Sequence, residues 1–139
     1  MDSAIEAALR KAKRIYVTTW SGAGVPGTVP VWFMVREGVI YFTTLRASLK
    51  ARRIQANGRV GVHVGSPRGP AFQGRAEWVE DRPGLEAEIL SAYRRKYRIL
   101  AGLVMGRRIR KRLARKESVV IQITPASPSG APPADAPAS

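Results

Sequence analysis

The segment TVPVWFMVREGVIYFTTLRASLKARRIQANGRVGVHV (Thr28 to Val64) decides the fold. Thr28–Val35 is rich in β-branched and aromatic residues and reads as a strand. Arg36-Glu37-Gly38 is a tight turn into a second strand, Val39–Thr44. Ser48–Ala56 then reads as one short helix, with Ser48 as N-cap and Asn57-Gly58 as its stop. Arg59–Val64 returns to β character. Hydroxyl and basic side chains gather where the strand hands over to the helix: Thr43, Thr44, Ser48, Lys50 and Arg53. A helix N-terminus offers free backbone N–H groups and a partial positive charge. Hydroxyls donate to phosphate oxygens, Arg presents a planar fork, and Lys presents a compact charge. Lys50 and Arg53, three apart, share a helical face. A bound phosphate is the simplest reason for the whole set to stand together.

Outward from this segment, Ile15–Trp20 reads as a preceding strand and Ala4–Arg14 as an amphipathic helix with Ile5, Ala8 and Leu9 on one face. Between strands, GAGVPG (Gly22–Gly27) has the letters of a dinucleotide fingerprint, but a strand follows it where that motif needs a helix. It reads as a hairpin loop. Ala71–Glu80 alternates as a fifth strand, Pro83 opens a helix running to about Tyr97, a basic helical piece spans Leu103–Lys116, and Ser118–Thr124 is the last strand. These elements predict a mainly β domain with peripheral helices, a six-stranded antiparallel barrel over residues 1–124. Residues 125–139, rich in Pro, Ala and Ser, predict a flexible tail.

The 139 residues suit one domain, and the 45% hydrophobic fraction is that of a globular chain. There is no cysteine, which excludes disulfides, thiolate metal sites and a cysteine nucleophile. No apolar run approaches the roughly 20 residues that span a bilayer. The N-terminus lacks the apolar core and cleavage site of a secretory signal, so a reducing cytoplasm is the expected compartment. The net charge of +14 favours polyanionic partners. Arg94–Lys116 alone holds eleven Lys or Arg and no Asp or Glu. No helix-turn-helix, zinc finger or aromatic RNA-binding motif accompanies it, so nucleic acid is not the expected partner. Its Leu100, Leu103, Val104, Met105, Ile109 and Leu113 suit a helix packed on the domain with a basic outer face. The lone His63 has no acid, cysteine or second histidine nearby, so neither a metal site nor a catalytic triad is expected.

The ordered set PVWFMVREGVIYFTT, TTLRASLKARRIQANGRVGVHV, FQGRAEWVED and YRRKY…VVIQITP resembles the split β-barrel flavin-binding family of pyridoxamine 5′-phosphate oxidase and the deazaflavin-dependent oxidoreductases. The resemblance spans about Ala4–Pro125. It implies homodimers with two cofactor sites at the dimer interface. It carries phosphate binding onto Thr43, Thr44, Ser48, Lys50 and Arg53. Pro30, Val31, Trp32 and Phe33 match the strand whose backbone lies against the tricyclic ring, and Gln73 and Gly74 match positions near the cofactor. The C-terminal Arg-containing substrate motif of the flavin oxidase is absent. The compact chain and LRASLKARRI stand closer to the branch that uses coenzyme F-420.

The resemblance therefore implies an oxidoreductase that uses coenzyme F-420, or alternatively flavin mononucleotide (FMN), to transfer a hydride to a small unsaturated or conjugated substrate. The chemistry belongs to the cofactor, and no catalytic side chain is assigned. Trp20, Trp32, Phe33 and Trp78 are candidates to line an apolar slot, with core packing expected for at least half of them. The readings from another class are a non-catalytic flavin or haem binder and a basic nucleic-acid-binding barrel.

Overall fold

The computed structural model describes residues 3–97 and 99–126. The expected tail, beyond Ala126, lies outside the described residues, as does the expected packing of Leu100, Leu103, Val104 and Met105. The elements are α1 (Ser3–Lys11), β1 (Ile15–Trp20), β2 (Pro26–Val31), β3 (Met34–Arg36), β4 (Val39–Leu45) and α2 (Leu49–Ala56). They continue as β5 (Arg59–Val64), β6 (Ala71–Val79), α3 (Pro83–Lys96), α4 (Ile99–Ala114) and β7 (Ser118–Pro125).

All strand pairs are antiparallel, in the order β2-β1-β5-β6-β7-β4-β3. The sheet has seven strands, not the six expected, because the Thr28–Val35 run is two strands interrupted at Trp32-Phe33. Its first half pairs with β1 and its second half with β4. These are the opposite edges of the sheet, yet only Trp32 and Phe33 separate them in the chain. The sheet must therefore curl until its two edges meet at that junction. The β3–β4 turn places Glu37 and Gly38 at φ 52° and 76°, the paired left-handed conformation of a tight hairpin. Gly22–Val25 lie in the β1–β2 hairpin loop, as the sequence predicts, whereas Pro26 and Gly27 already pair with β1 as the start of β2.

Inside the curl, Ile15, Val17, Phe33, Ile40, Phe42, Val60, Val62, Ala76, Val119, Ile121 and Ile123 form the main core. α1 adds Leu9, with Ile5 and Ala8 packed beside it, and α2 adds Ala51 and Ile54. A second core lies outside the sheet. Met34, Tyr41 and Val120 meet Leu85, Ile89, Leu90, Tyr93 and Tyr97 of the α3 segment and Ile109 of α4, with Leu113 partly buried beside them.

The junction is held by α3. The Tyr93 hydroxyl donates to the Trp32 carbonyl at 3.2 Å, and the Phe33 N–H donates to the Tyr97 hydroxyl at 3.0 Å. Lys96 Nζ and the Tyr97 hydroxyl reach the Phe33 carbonyl at 3.3 and 3.4 Å. Trp32 stacks on Tyr97 with centroids 4.0 Å apart, and Tyr93 meets both rings edge-on. Side chains of α3 thus supply the hydrogen bonds that the sheet ladder gives up where the strand breaks.

Candidate functional site at the α2 mouth

Ser48 is the N-cap of α2, as its sequence predicts: its Oγ accepts from Ala51 N–H at 3.3 Å and lies 3.1 Å from Thr44 Oγ1. This cap leaves the Leu49 and Lys50 N–H groups, at the first turn, without an intrahelical partner. Trp78 fixes the helix on the sheet by donating from Nε1 to the Ala51 carbonyl at 2.9 Å. Arg46, in the approach to α2, is committed elsewhere. It pairs with Glu80 at 2.6 Å, donates to the Lys116 carbonyl and covers the Trp78 ring.

Two cations at this mouth have no acidic partner among the described residues. Lys50 is half-buried, and that burial lowers its pKa. Arg53 reaches across to β1, where Nη1 donates to the Thr19 carbonyl at 3.4 Å, while its buried Nε has no hydrogen-bond partner. Gly27 makes room for this: a Cβ there would stand 2.9 Å from Arg53 Nη1. A buried donor without an acceptor is costly, and a phosphate oxygen is the acceptor a guanidinium fits best. The donor set therefore fits a phosphate group.

The expected site residues fall into separate groups. Thr44, Ser48, Lys50 and Arg53 come together at the α2 mouth. Thr43 does not join them: successive strand residues face opposite sides, and Thr43 is turned toward Tyr93 of the second core. Pro30 is exposed on the edge strand β2, whereas Val31 packs on the main core and Phe33 is fully buried. The backbone of Trp32 and Phe33 is engaged by α3. Of the aromatic candidates, Phe33 and Trp78 pack with the main core and Trp32 with the second. Trp20 instead lies under the Arg59 guanidinium at 4.0 Å.

Gln73 and Gly74 are also on opposite sides. Gly74 is needed for packing, since a Cβ would stand 2.9 Å from Ile123 Cγ2. Gln73 is exposed and shares the outer face with Trp20, Thr18 and Gly61. A Cβ on Gly61 would meet all three at 3.5–3.7 Å, so this buried glycine lets the Trp20 and Gln73 side chains close over β5. Gly27, expected in the hairpin loop, stands in β2, and Gly61, to which the sequence assigns no role, stands in β5. Their signal was a glycine inside a strand, which often marks close approach of another group.

Burial around α3 shifts two more groups. Desolvation pushes Tyr97 up to about 12, and it brings Lys96 down to about 8.

Several solved structures share the fold. The haem storage protein HutZ from Vibrio cholerae superposes with a TM-score of 0.67 at 14% identity, covering 91% of this chain and 90% of that one. An FAD-binding protein from Mesorhizobium loti gives 0.60 at 18% identity, covering 91% and 90%. An F-420 reductase gives 0.57 at 18% identity, covering 91% and 97%. No curated protein matches the sequence. The family profile described as pyridoxamine 5′-phosphate oxidase matches residues 1–128, and the chain belongs to that family.

Proposed function

We propose that the protein is an oxidoreductase that holds a phosphorylated flavin-type cofactor at the α2 mouth, with coenzyme F-420 preferred over FMN. The observation that carries this reading is the Arg53 guanidinium, buried at Nε without an acceptor beside a half-buried Lys50 that lacks a counter-ion. Lys50, Arg53, the Ser48 hydroxyl and the first N–H groups of α2 bind the phosphate. The outer sheet face that carries Trp20 and Gln73 orients the ring system. When bound, the cofactor supplies hydride transfer to a small unsaturated substrate. The protein contributes placement and exclusion of water.

The working unit is proposed to be a homodimer. In support, no helix of the described chain packs over the outer face of β2-β1-β5. It carries Tyr16, Thr18, Trp20, Thr28 and Pro30, a mixed polar and aromatic surface of the kind a second copy can cover.

The cofactor preference rests on charge. FMN ends in one phosphate, whereas the deazaflavin carries a phosphodiester and an oligoglutamate tail. A +14 chain with Arg107, Arg108, Arg110 and Lys111 exposed on α4 attracts that tail without desolvating it. The gain is screened, because the Debye length is about 8 Å at physiological salt. Titration by quenching of cofactor fluorescence at low and high salt tests the choice. The deazaflavin should bind more tightly, with a margin that shrinks as salt rises. Equal affinity for FMN at low salt, or purification as a yellow complex, would transfer the assignment to FMN.

A further inference from the structure

At the other end of the barrel from α2, a cleft of about 590 Å³ opens between α1, β3 and α3. Phe33, Met34, Leu9 and Ala92 give it an apolar floor. It is remote from the α2 mouth along β1. Arg53 reaches Thr19, near the end of β1, whereas the cleft borders the junction that follows Val31, the partner of Ile15 at the start of β1. Four residue steps along β1 separate Ile15 from Thr19, roughly 13 Å.

Lys96 stands in the wall of this cleft in an unusual setting. Its Nζ lies 3.1 Å from the Phe33 ring centroid and donates to the Phe33 carbonyl, and no carboxylate pairs with it among the described residues. Buried charges ordinarily have a partner. Of its three donors one reaches the Phe33 carbonyl, and the rest of the ammonium meets only the faces of the Phe33 and Tyr97 rings, so no anion balances its charge. The charged groups facing it are Glu6 and Arg10 on α1, Arg36 on β3, and Glu88 and Arg95 on α3. Arg36 and Glu88 neutralise each other at 2.9 Å. What remains is Lys96, Arg10 and Arg95 against Glu6, a net excess of positive charge over an aromatic and aliphatic floor.

We propose that this cleft binds a small organic anion, a carboxylate or phosphate on an apolar body, with Lys96 as its central contact. The anion supplies the counter-charge that Lys96 lacks, while Phe33 and Met34 cover the apolar body. Burial already weakens the hold of Lys96 on its proton, so an anion at this place favours the charged form and raises the pKa. The site is independent of the cofactor reading, because none of its residues belongs to the α2 mouth.

Isothermal titration with benzoate and, separately, inorganic phosphate tests the proposal on the full chain. Benzoate should bind saturably and more tightly than phosphate. Lys96→Met should weaken benzoate about tenfold or more, the loss of one charge-assisted contact. Arg10→Gln, an exposed change, should weaken it two- to threefold. Arg53→Ala should leave it unchanged. Wild-type affinity should fall between pH 7 and 9 as Lys96 loses its proton, and that slope should vanish in Lys96→Met. Should Lys96→Met fail to fold, the Arg10→Gln/Arg95→Gln double variant decides by the same titration. Full affinity in Lys96→Met or in the double variant, equal binding of phosphate and benzoate, or loss of binding in Arg53→Ala would each overturn the site.

Discussion

The two outer faces of the curled sheet differ in what covers them. On the β7-β4-β3 side, Met34, Tyr41 and Val120 are buried under α3 and α4. There β4 and β7 are apolar on both sides, so their sequences are near-continuous runs, VIYFTTL and SVVIQITP. On the β2-β1-β5-β6 side, Tyr16, Thr18, Trp20, Arg59, His63 and Gln73 remain at least partly accessible, and β1 alternates strictly between buried and half-buried positions. The covered face spends its polar groups internally, through the Tyr93, Tyr97 and Lys96 contacts to the Trp32-Phe33 junction. The open face is left uncovered, and the adjoining α2 mouth keeps a buried donor, Arg53 Nε, without an acceptor. The first arrangement serves the fold, and the second suits a ligand or a second copy of the chain.

The covered face should give the largest effects on stability. Tyr93→Ala removes a fully buried ring and should cost about 3–5 kcal/mol by chemical denaturation. A cost near zero would mean that α3 does not hold the junction. Tyr97→Phe keeps the stack on Trp32 but strands the Phe33 N–H, and should cost about 1–3 kcal/mol.

Stability against pH should separate Lys96 from Tyr97. The folded state disfavours the charged form of Lys96, so its penalty is present below about pH 8 and is relieved as pH rises toward the model-peptide value of 10.5. Tyr97 is raised, so its contribution is present below about pH 10 and is lost as pH climbs toward 12. Stability from these two groups should therefore rise from pH 8 to 10 and then fall, and Lys96→Met should shrink the rise to the part that Lys50, lowered in the same direction, contributes. A rise of undiminished size in Lys96→Met would reassign it. On the open face the effect on folding should be smallest. Thr28→Arg should change stability by no more than about 0.5 kcal/mol, yet it should halve the mass seen by solution scattering if that face joins two copies. Unchanged dimer mass would place the interface elsewhere.

Much of this contrast is legible in the sequence. Ser48 as N-cap, Pro83 in the first turn of α3 and the β1–β2 hairpin follow from local chemistry, and the structure has all three. The break at Trp32-Phe33 is not legible, because PVWFMV has no glycine or charge at that point. What stabilises the break comes from Tyr93 and Tyr97, some 60 residues away in sequence. The phosphate cluster is legible in part. Helical spacing places Lys50 and Arg53, and strand alternation separates Thr43 from Thr44. That Gly27 admits the Arg53 side chain depends on how α2 sits across β1 and β2, which only the packed fold reveals.

The central claim is that the α2 mouth is a defined phosphate site and not one part of a diffuse basic surface. Its most direct test is cofactor titration by fluorescence quenching on the wild type, Lys50→Ala, Arg53→Ala and Arg115→Ala. The account predicts roughly ten- to hundredfold weaker binding for the first two variants, the loss of one charge-assisted contact each. It predicts little change for Arg115→Ala, an exposed charge outside α2. Equal weakening by all three would contradict it and assign the binding to net charge alone.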